Sequence, residues 1–249
     1  MMLTIHYRTE TVTVPAPLGH PAPGSVGSMG STANDNLIGT WVTGWVGARG
    51  YESRQEGRVH AALRHDTSGD WEYIIHEPSS EELVAVGETL KKHPARRLTA
   101  VTGDSESVSE AARAAGLSVV AADEALMVVD MNGQDVESPL PFEGFTIEIE
   151  RDGKHSYVSV HLEDDPEVVA ASGHVAVVEE FAVFDRIITA PDFRRRGLGS
   201  LVMRALVSLA LEHDVEEGLL VASVDGQALY RYLGWTPIGT MVTLEGQRD

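Results

Sequence analysis

The segment with the clearest chemical character runs from Thr189 to Ser200, TAPDFRRRGLGS, between a predicted strand and a predicted helix. Gly197 and Gly199 let the backbone turn tightly and approach a ligand closely. The first N–H groups of the following helix have no partner within it, and the helix dipole makes this end positive. The arginines at 194–196 add charged donors. The pattern therefore predicts a site for phosphate.

Two common phosphate motifs do not fit this segment. A dinucleotide fingerprint needs a third glycine where Val202 stands, and a nucleoside-triphosphate loop needs a Gly-Lys-Ser/Thr ending that the chain lacks. The segment therefore favours another phosphate carrier.

The sequence resembles the GCN5-related N-acetyltransferase (GNAT) family. The resemblance rests on Arg-x-x-Gly-x-Gly at Arg194–Gly199, on Thr189-x-Pro191 before it, and on Leu219–Ser223 and Leu229–Trp235 after it. It implies an α/β fold with a mixed sheet that splays open between strands at 183–189 and 219–223. Acetyl-CoA would lie in this gap as co-substrate, without a metal.

The resemblance also implies roles for individual residues. Tyr230 would return a proton to the leaving thiolate, and Asp185 would take a proton from the acceptor amine. A backbone N–H of the strand at 187–189 would meet the thioester oxygen. The cofactor-binding residues implied are Ile187, Ile188, Thr189, Arg194, Arg195, Arg196, Gly197, Leu198, Gly199 and Ser200.

Several residues compete with these assignments. Glu179 and Glu180 are rival bases, His174 is a further acid or base candidate, and Asp185 could be a solvated carboxylate. Tyr230 could instead be a core aromatic on an amphipathic helix. Two roles fit the residues Trp41, Trp45 and Tyr51: an aromatic pocket for the acceptor, or ordinary core packing.

The sequence departs from the family pattern in two places. Ser223 stands where relatives often have Asn. The turn at Asp152–Gly153 predicts a tight hairpin where the family inserts two helices that wall the acceptor pocket. We expect the preceding region to supply that wall, as a degenerate copy of the same fold, or else another subunit to do so.

Strand and helix patterns divide the chain into two α/β units. We predict a flexible tail at 1–34, an N-terminal α/β domain at 35–133, a linker at 134–141 and a GNAT-type domain at 142–249. The tail and linker are rich in Pro, Gly and small polar residues.

Composition narrows the function further. The 249 residues include no cysteine, which removes disulfides and a thiolate acyl carrier, and ten histidines show no metal-ligand spacing. The net charge of −19 disfavours nucleic acid and anionic membranes and favours a cationic partner. Without a recognisable leader or membrane span, we expect a cytoplasmic protein.

These observations predict an acetyl-CoA-dependent N-acetyltransferase. The acceptor would be an amine of a small molecule or peptide, attacking the thioester directly in a ternary complex. The alternative is a catalytically silent CoA-binding module with the same fold. The acceptor, homodimer formation and the use of other acyl-CoAs stay open.

Overall fold

The computed structural model describes residues 33–134 and 139–247. The predicted tail at 1–34 lies almost entirely outside these ranges, and the predicted linker at 134–141 is described only at its ends. Both remain predictions.

Within the described residues, eleven strands form one mixed sheet flanked by helices, which confirms the predicted α/β class. The N-terminal half contains α1 (Asp35–Arg49), β1 (Glu52–Glu56), β2 (Val59–Leu63), β3 (Trp71–His76), α2 (Ser80–Lys92), β4 (Arg97–Thr102), α3 (Ser105–Ala114) and β5 (Leu117–Asp130). The C-terminal half contains β6 (Phe145–Asp152), β7 (His155–Leu162), β8 (Val169–Val178), β9 (Phe181–Thr189), α4 (Leu198–Ala210), β10 (Glu217–Ala222), α5 (Val224–Tyr232) and β11 (Thr236–Gly246).

The two halves repeat one order of elements and exchange their last strands. Three strands, a helix, a strand, a helix and a strand follow one another in β1 to β5 and again in β7 to β11. The sheet order is β1-β2-β3-β4-β11-β5-β10-β9-β8-β7-β6. Thus β5 pairs with β10 of the other half, while β11 pairs with β4 and β5. This exchange was not predicted from the sequence.

The helices lie in two layers. α1 packs across β8 and β9 on one face, while α2, α3 and α4 pack on the other. Along β9, Val183 joins the apolar cluster under α1, whereas Ala182 and Phe184 join the cluster under α4. A Cβ on Gly44 would lie 2.5 Å from Val183, so only glycine permits this close approach of α1 to β9.

Helix α1 begins and ends with clear caps. The Asn34 side chain accepts a hydrogen bond from the Leu37 N–H at the start, and Gly50 in the left-handed conformation (φ 62°) ends it. The helix therefore extends as far as Arg49, which lies in its last turn.

The predicted hairpin at Asp152–Gly153 is present, with β6 and β7 antiparallel and Gly153 at φ 57°. β6 to β9 continue as the predicted antiparallel meander. α1, from the other half, covers the face of β8 and β9. None of the described helices is long and apolar enough to cross a membrane.

Candidate active site

The sheet opens between β9 and β10. These parallel strands pair from Phe181 with Glu217 to Phe184 with Leu220, and the pairing stops there although β9 continues to Thr189. On its other edge β9 stays paired with β8 as far as Thr189. The predicted splay is therefore confirmed, and it leaves backbone groups of 187–189 facing the gap.

The loop after β9 ends in a helix without a side-chain cap. Gly197 has φ 80° and serves as the N-cap of α4, a conformation that favours glycine. The first bond of the helix runs from the Leu201 N–H to the Gly197 carbonyl, 3.0 Å. The N–H groups of residues 198–200 have no acceptor among the described residues, so they are available to an anion.

The three loop arginines carry uncompensated charge. All three are exposed, and none forms a salt bridge with a described residue. The Arg194 Nε donates to the Thr189 carbonyl at 3.3 Å, and the Arg196 guanidinium lies 5.4 Å from the Phe193 ring centre. The loop is therefore an exposed cationic patch on a chain in which 38 acidic residues oppose 19 basic ones.

Tyr230 faces the site from α5. The helix begins at Ser223, whose hydroxyl accepts a hydrogen bond from the Gly226 N–H. Tyr230 is 7% exposed and Tyr232 is 85% exposed, which matches the expectation that they lie on different faces. Burial, and then the charge of Asp185, raise the pKa of Tyr230 above its ordinary value. The phenol therefore keeps its proton at neutral pH and can donate it.

Asp185 follows the last residue of β9 that pairs with β10. Both its oxygens accept hydrogen bonds from Arg49, at 2.7 Å from Nε and 2.8 Å from Nη2. Burial alone would lower the pKa of Arg49, but its bonds to Asp185 raise it above the ordinary value. The candidate base is thus held by a side chain of the N-terminal half.

The next residue of β9 is also held by the N-terminal half. Arg186, with φ 51°, pairs with Asp66 of the loop between β2 and β3. Asp66 also accepts a hydrogen bond from the Tyr51 hydroxyl. This bond, followed by the pair with Arg186, lowers the pKa of Asp66 to about 2. Two successive residues at the splay are therefore anchored across the halves.

Of the rival acid–base candidates, two lie far from the splay and one lies beside Asp185. Glu179 and Glu180 form the turn between β8 and β9, at the end of β9 opposite the splay. His174 lies beside Asp185 in the strand register, and its Nδ1 is 3.0 Å from Nε2 of His155. Burial, and then His155, lower the pKa of His174 to about 4, so its ring is neutral at neutral pH.

A cavity of about 550 Å³ joins the splay to the N-terminal half. The C-terminal half lines it with Phe184–Ile187 and Tyr230, and the N-terminal half with Trp41, Trp45 and Glu124, among others. Both tryptophans are also core residues at 6% exposure, which agrees with core packing, and their role in an acceptor pocket stays a prediction. Tyr51 does not line the cavity.

Apart from Trp41 and Trp45, the cavity residues of the N-terminal half were missed by sequence reasoning. Arg49 and Asp185 are separated by 136 positions, and no local pattern signals their contact. Glu72 and Glu124 lie on strands whose place in the sheet depends on the strand exchange. Only the absence of the family's two wall helices hinted that this half approaches the site.

The sequence of this region is similar to a known protein family. Residues 126–235 match the Acetyltransferase (GNAT) family. This match lies in the C-terminal part of the chain. The matched range contains the splay, the arginine loop and Tyr230. No curated protein matches the chain.

Solved structures show the same fold over most of the chain. A GCN5-related N-acetyltransferase from Kribbella flavida has a TM-score of 0.63 at 17% identity, covering 89% of this chain and 98% of its own. A tandem GNAT protein from the clavulanic acid biosynthesis pathway, solved without AcCoA, has a TM-score of 0.55 at 14% identity, covering 79% and 82%. A GCN5-related N-acetyltransferase from Sphaerobacter thermophilus has a TM-score of 0.55 at 12% identity, covering 77% of each chain. At these identities the likeness is one of fold, and the tandem relative fits two GNAT-like units in one chain.

Proposed function

We propose that the protein is an acetyl-CoA-dependent N-acetyltransferase acting on an amine of a small molecule or peptide. One observation carries the proposal: three unpaired arginines and an uncapped helix N-terminus lie at the mouth of a splay between two parallel strands. Phosphates of a coenzyme fit such a cationic turn. The GNAT match of the same residues supports this choice of phosphate carrier.

The residues present fit acetyl-CoA. The N–H groups of 198–200 and the side chains of Arg194–Arg196 would hold its phosphates, and the free strand edge at 187–189 would face its pantetheine. When bound, acetyl-CoA supplies an activated acyl thioester. With no cysteine in the chain, the acceptor amine would attack that thioester directly.

Tyr230 and Asp185 complete the proposed chemistry. Tyr230 is protonated at neutral pH and would donate its proton to the departing sulfur. Asp185 would accept a proton from the amine, directly or through a water. A carboxylate offers about four lone-pair sites, and Arg49 uses two of them, so Asp185 can still accept. A backbone N–H of 187–189 would stabilise charge on the thioester oxygen.

Thermal unfolding with acetyl-CoA tests the assignment of the loop. At about one hundred times its dissociation constant, a ligand stabilises the folded state by about 2.7 kcal/mol, which raises the Tm by several degrees. We expect this shift in the wild type. It should be lost when Arg194, Arg195 and Arg196 are all replaced by Gln, and kept when the exposed Arg113 of α3 is replaced by Gln.

The other results have distinct meanings. A wild type that responds to neither acetyl-CoA nor coenzyme A contradicts the proposal. A protein that binds acetyl-CoA yet releases no thiol with any amine would be a CoA-binding module, and the transferase assignment would be wrong.

A further inference from the structure

The charged side chains around the cavity form salt bridges with other described residues, except for two carboxylates. Every arginine that lines the cavity forms a salt bridge with a carboxylate. The pairs are Arg49 with Asp185, Arg64 with Glu72, Arg97 with Glu245, and Arg186 with Asp66. The cavity therefore offers no unpaired guanidinium to an anionic acceptor.

Two carboxylates of β5 remain without a cation. Asp123 and Glu124 line the same cavity, and neither side chain forms a salt bridge or hydrogen bond with another described residue. Glu124 is half-buried, and burial, followed by the charges of Asp123 and Glu72, raises its pKa, while the charge of Arg49 acts in the opposite direction without forming a salt bridge to it. A partly buried carboxylate near like charges is costly unless a cation binds there.

Strand register places Glu124 beside the splay. Ala125 of β5 pairs with Ala222, the last residue of β10, so Glu124 lies just beyond the end of β10. Its side chain points to the α1 face, as do those of Leu126 and Val128 on the same strand. The splay lies on the other side of β10. With strands about 4.8 Å apart, the middle of the gap is roughly 7 Å from β5.

One apolar side chain, Val221 of β10, lies between these two places, because β10 stands between β5 and the gap. Val221 points to the α1 face and lines the cavity. Met241 of β11 pairs with Glu124 on the side of β5 away from the splay and adds apolar lining there. The cavity thus offers a reacting end at the splay, an apolar middle at Val221 and an acidic end at Glu124.

We propose that the acceptor is a dication with two amino groups on a short apolar chain. One amine reacts at the splay, and the other is held by Glu124, with Asp123 adding negative potential. Glu124 is then a specificity-determining residue supplied by the half without the arginine loop. This inference rests on the proposed acetyltransferase function and adds the class of its acceptor.

Matched amines and a charge-neutral variant test the inference. Thiol release is followed with diaminobutane and diaminopentane, and with butylamine and pentylamine as chains of equal length bearing one amine. A charge-assisted hydrogen bond predicts a kcat/KM at least about tenfold higher for the diamines. In Glu124→Gln this preference should fall towards one, mainly through a higher KM for the diamines. Glu110→Gln, at an exposed carboxylate of α3, should keep it.

Calorimetric titration of the coenzyme A-loaded protein with diaminobutane and butylamine gives the same comparison without turnover. The inference is wrong if the wild type treats diamines and monoamines alike or uses neither, or if Glu124→Gln keeps the preference. Because acetyl-CoA binding is measured separately by thermal unfolding, a failure there identifies a failure of the proposed function itself.

Discussion

The two halves use one order of elements in opposite ways. In the C-terminal half the parallel strands β9 and β10 separate after Phe184, and α4 begins with an uncapped, arginine-flanked turn. In the N-terminal half the parallel strands β3 and β4 stay paired from Glu72 to His76, the last residue of β3. Among the described residues, only the C-terminal half therefore has a splay between its parallel strands.

The helices that follow these strands, α2 after β3 and α4 after β9, also begin differently. α2 begins with a capping box, in which Ser79 and Glu82 satisfy each other's backbone N–H groups. Its first turn is acidic, with Glu81 and Glu82, and would repel a phosphate. A helix after a parallel strand thus becomes an anion site only when its N–H groups are left free and its flanks are basic.

The largest expected effect on activity comes from Tyr230, on the helix α5 that follows β10. Tyr230 and Ala111 stand at the same distance from the N-caps of α5 and α3, so only one half has a proton donor there. Tyr230→Phe should lower kcat by about 10² to 10⁴, the usual range for a general acid. Acetyl-CoA affinity should change little.

Thiol-release kinetics and titration with acetyl-CoA give these two values. Tyr232→Phe, on the exposed side of α5, is the matched control and should have the wild-type rate. A normal kcat in Tyr230→Phe would remove this functional difference between the halves.

An intermediate effect is expected at the capping box. Ser79→Ala removes the acceptor of the Glu82 N–H and should destabilise the protein by about 1 kcal/mol. Urea unfolding measures this loss. Acetyl-CoA affinity, corrected for the folded fraction, should be unchanged, because α2 takes no part in cofactor binding. A weakened affinity would contradict the division of roles.

The smallest effect is expected at the contact between the halves. The pKa of Asp66 is lowered to about 2 in the folded protein, so its charged form stabilises the fold above the unfolded pKa of about 4. This stabilisation is lost as pH falls from about 4 to about 2. Asp66→Asn should therefore cost less than about 1 kcal/mol at pH 7, and the cost should shrink below pH 4.

Urea unfolding of both proteins at several pH values provides the check. Asp192→Asn, at an exposed carboxylate outside this network, is the control. If the difference in unfolding free energy between wild type and Asp66→Asn stays constant with pH, the charge of Asp66 does not stabilise the contact between the halves.

Local sequence patterns were enough to predict much of the fold and part of the candidate site. Three features depend only on residues that are neighbours in sequence. They are the glycines and arginines of the loop, the placement of Tyr230 and Tyr232 on different faces of α5, and the Asp152–Gly153 hairpin. β1 has no strand pattern in the sequence, because all five of its residues are exposed and show no alternation. The first part of β5 also gives a weak pattern, since most of its first seven residues are not buried.

The missing parts depend on distant pairing. The apolar alternation of β5 and β11 fits either neighbour in the sheet, so it could not show that these strands exchange places. The contacts of Arg49 with Asp185 and of Asp66 with Arg186 follow from that arrangement. The sequence thus suggested that the N-terminal half forms a wall of the pocket, but these charged contacts were visible only in three dimensions.

The exchanged strands β5 and β11 also determine what kind of assembly this chain is. Two identical chains joined by such an exchange would separate on dilution, and each copy would need its own working site. Here the covalent connection fixes the local concentration of one copy around the other. Association then no longer depends on how much protein the cell makes. Under the proposed function, the half without the arginine loop would be released from binding coenzyme and would be free to vary as the part that selects the acceptor.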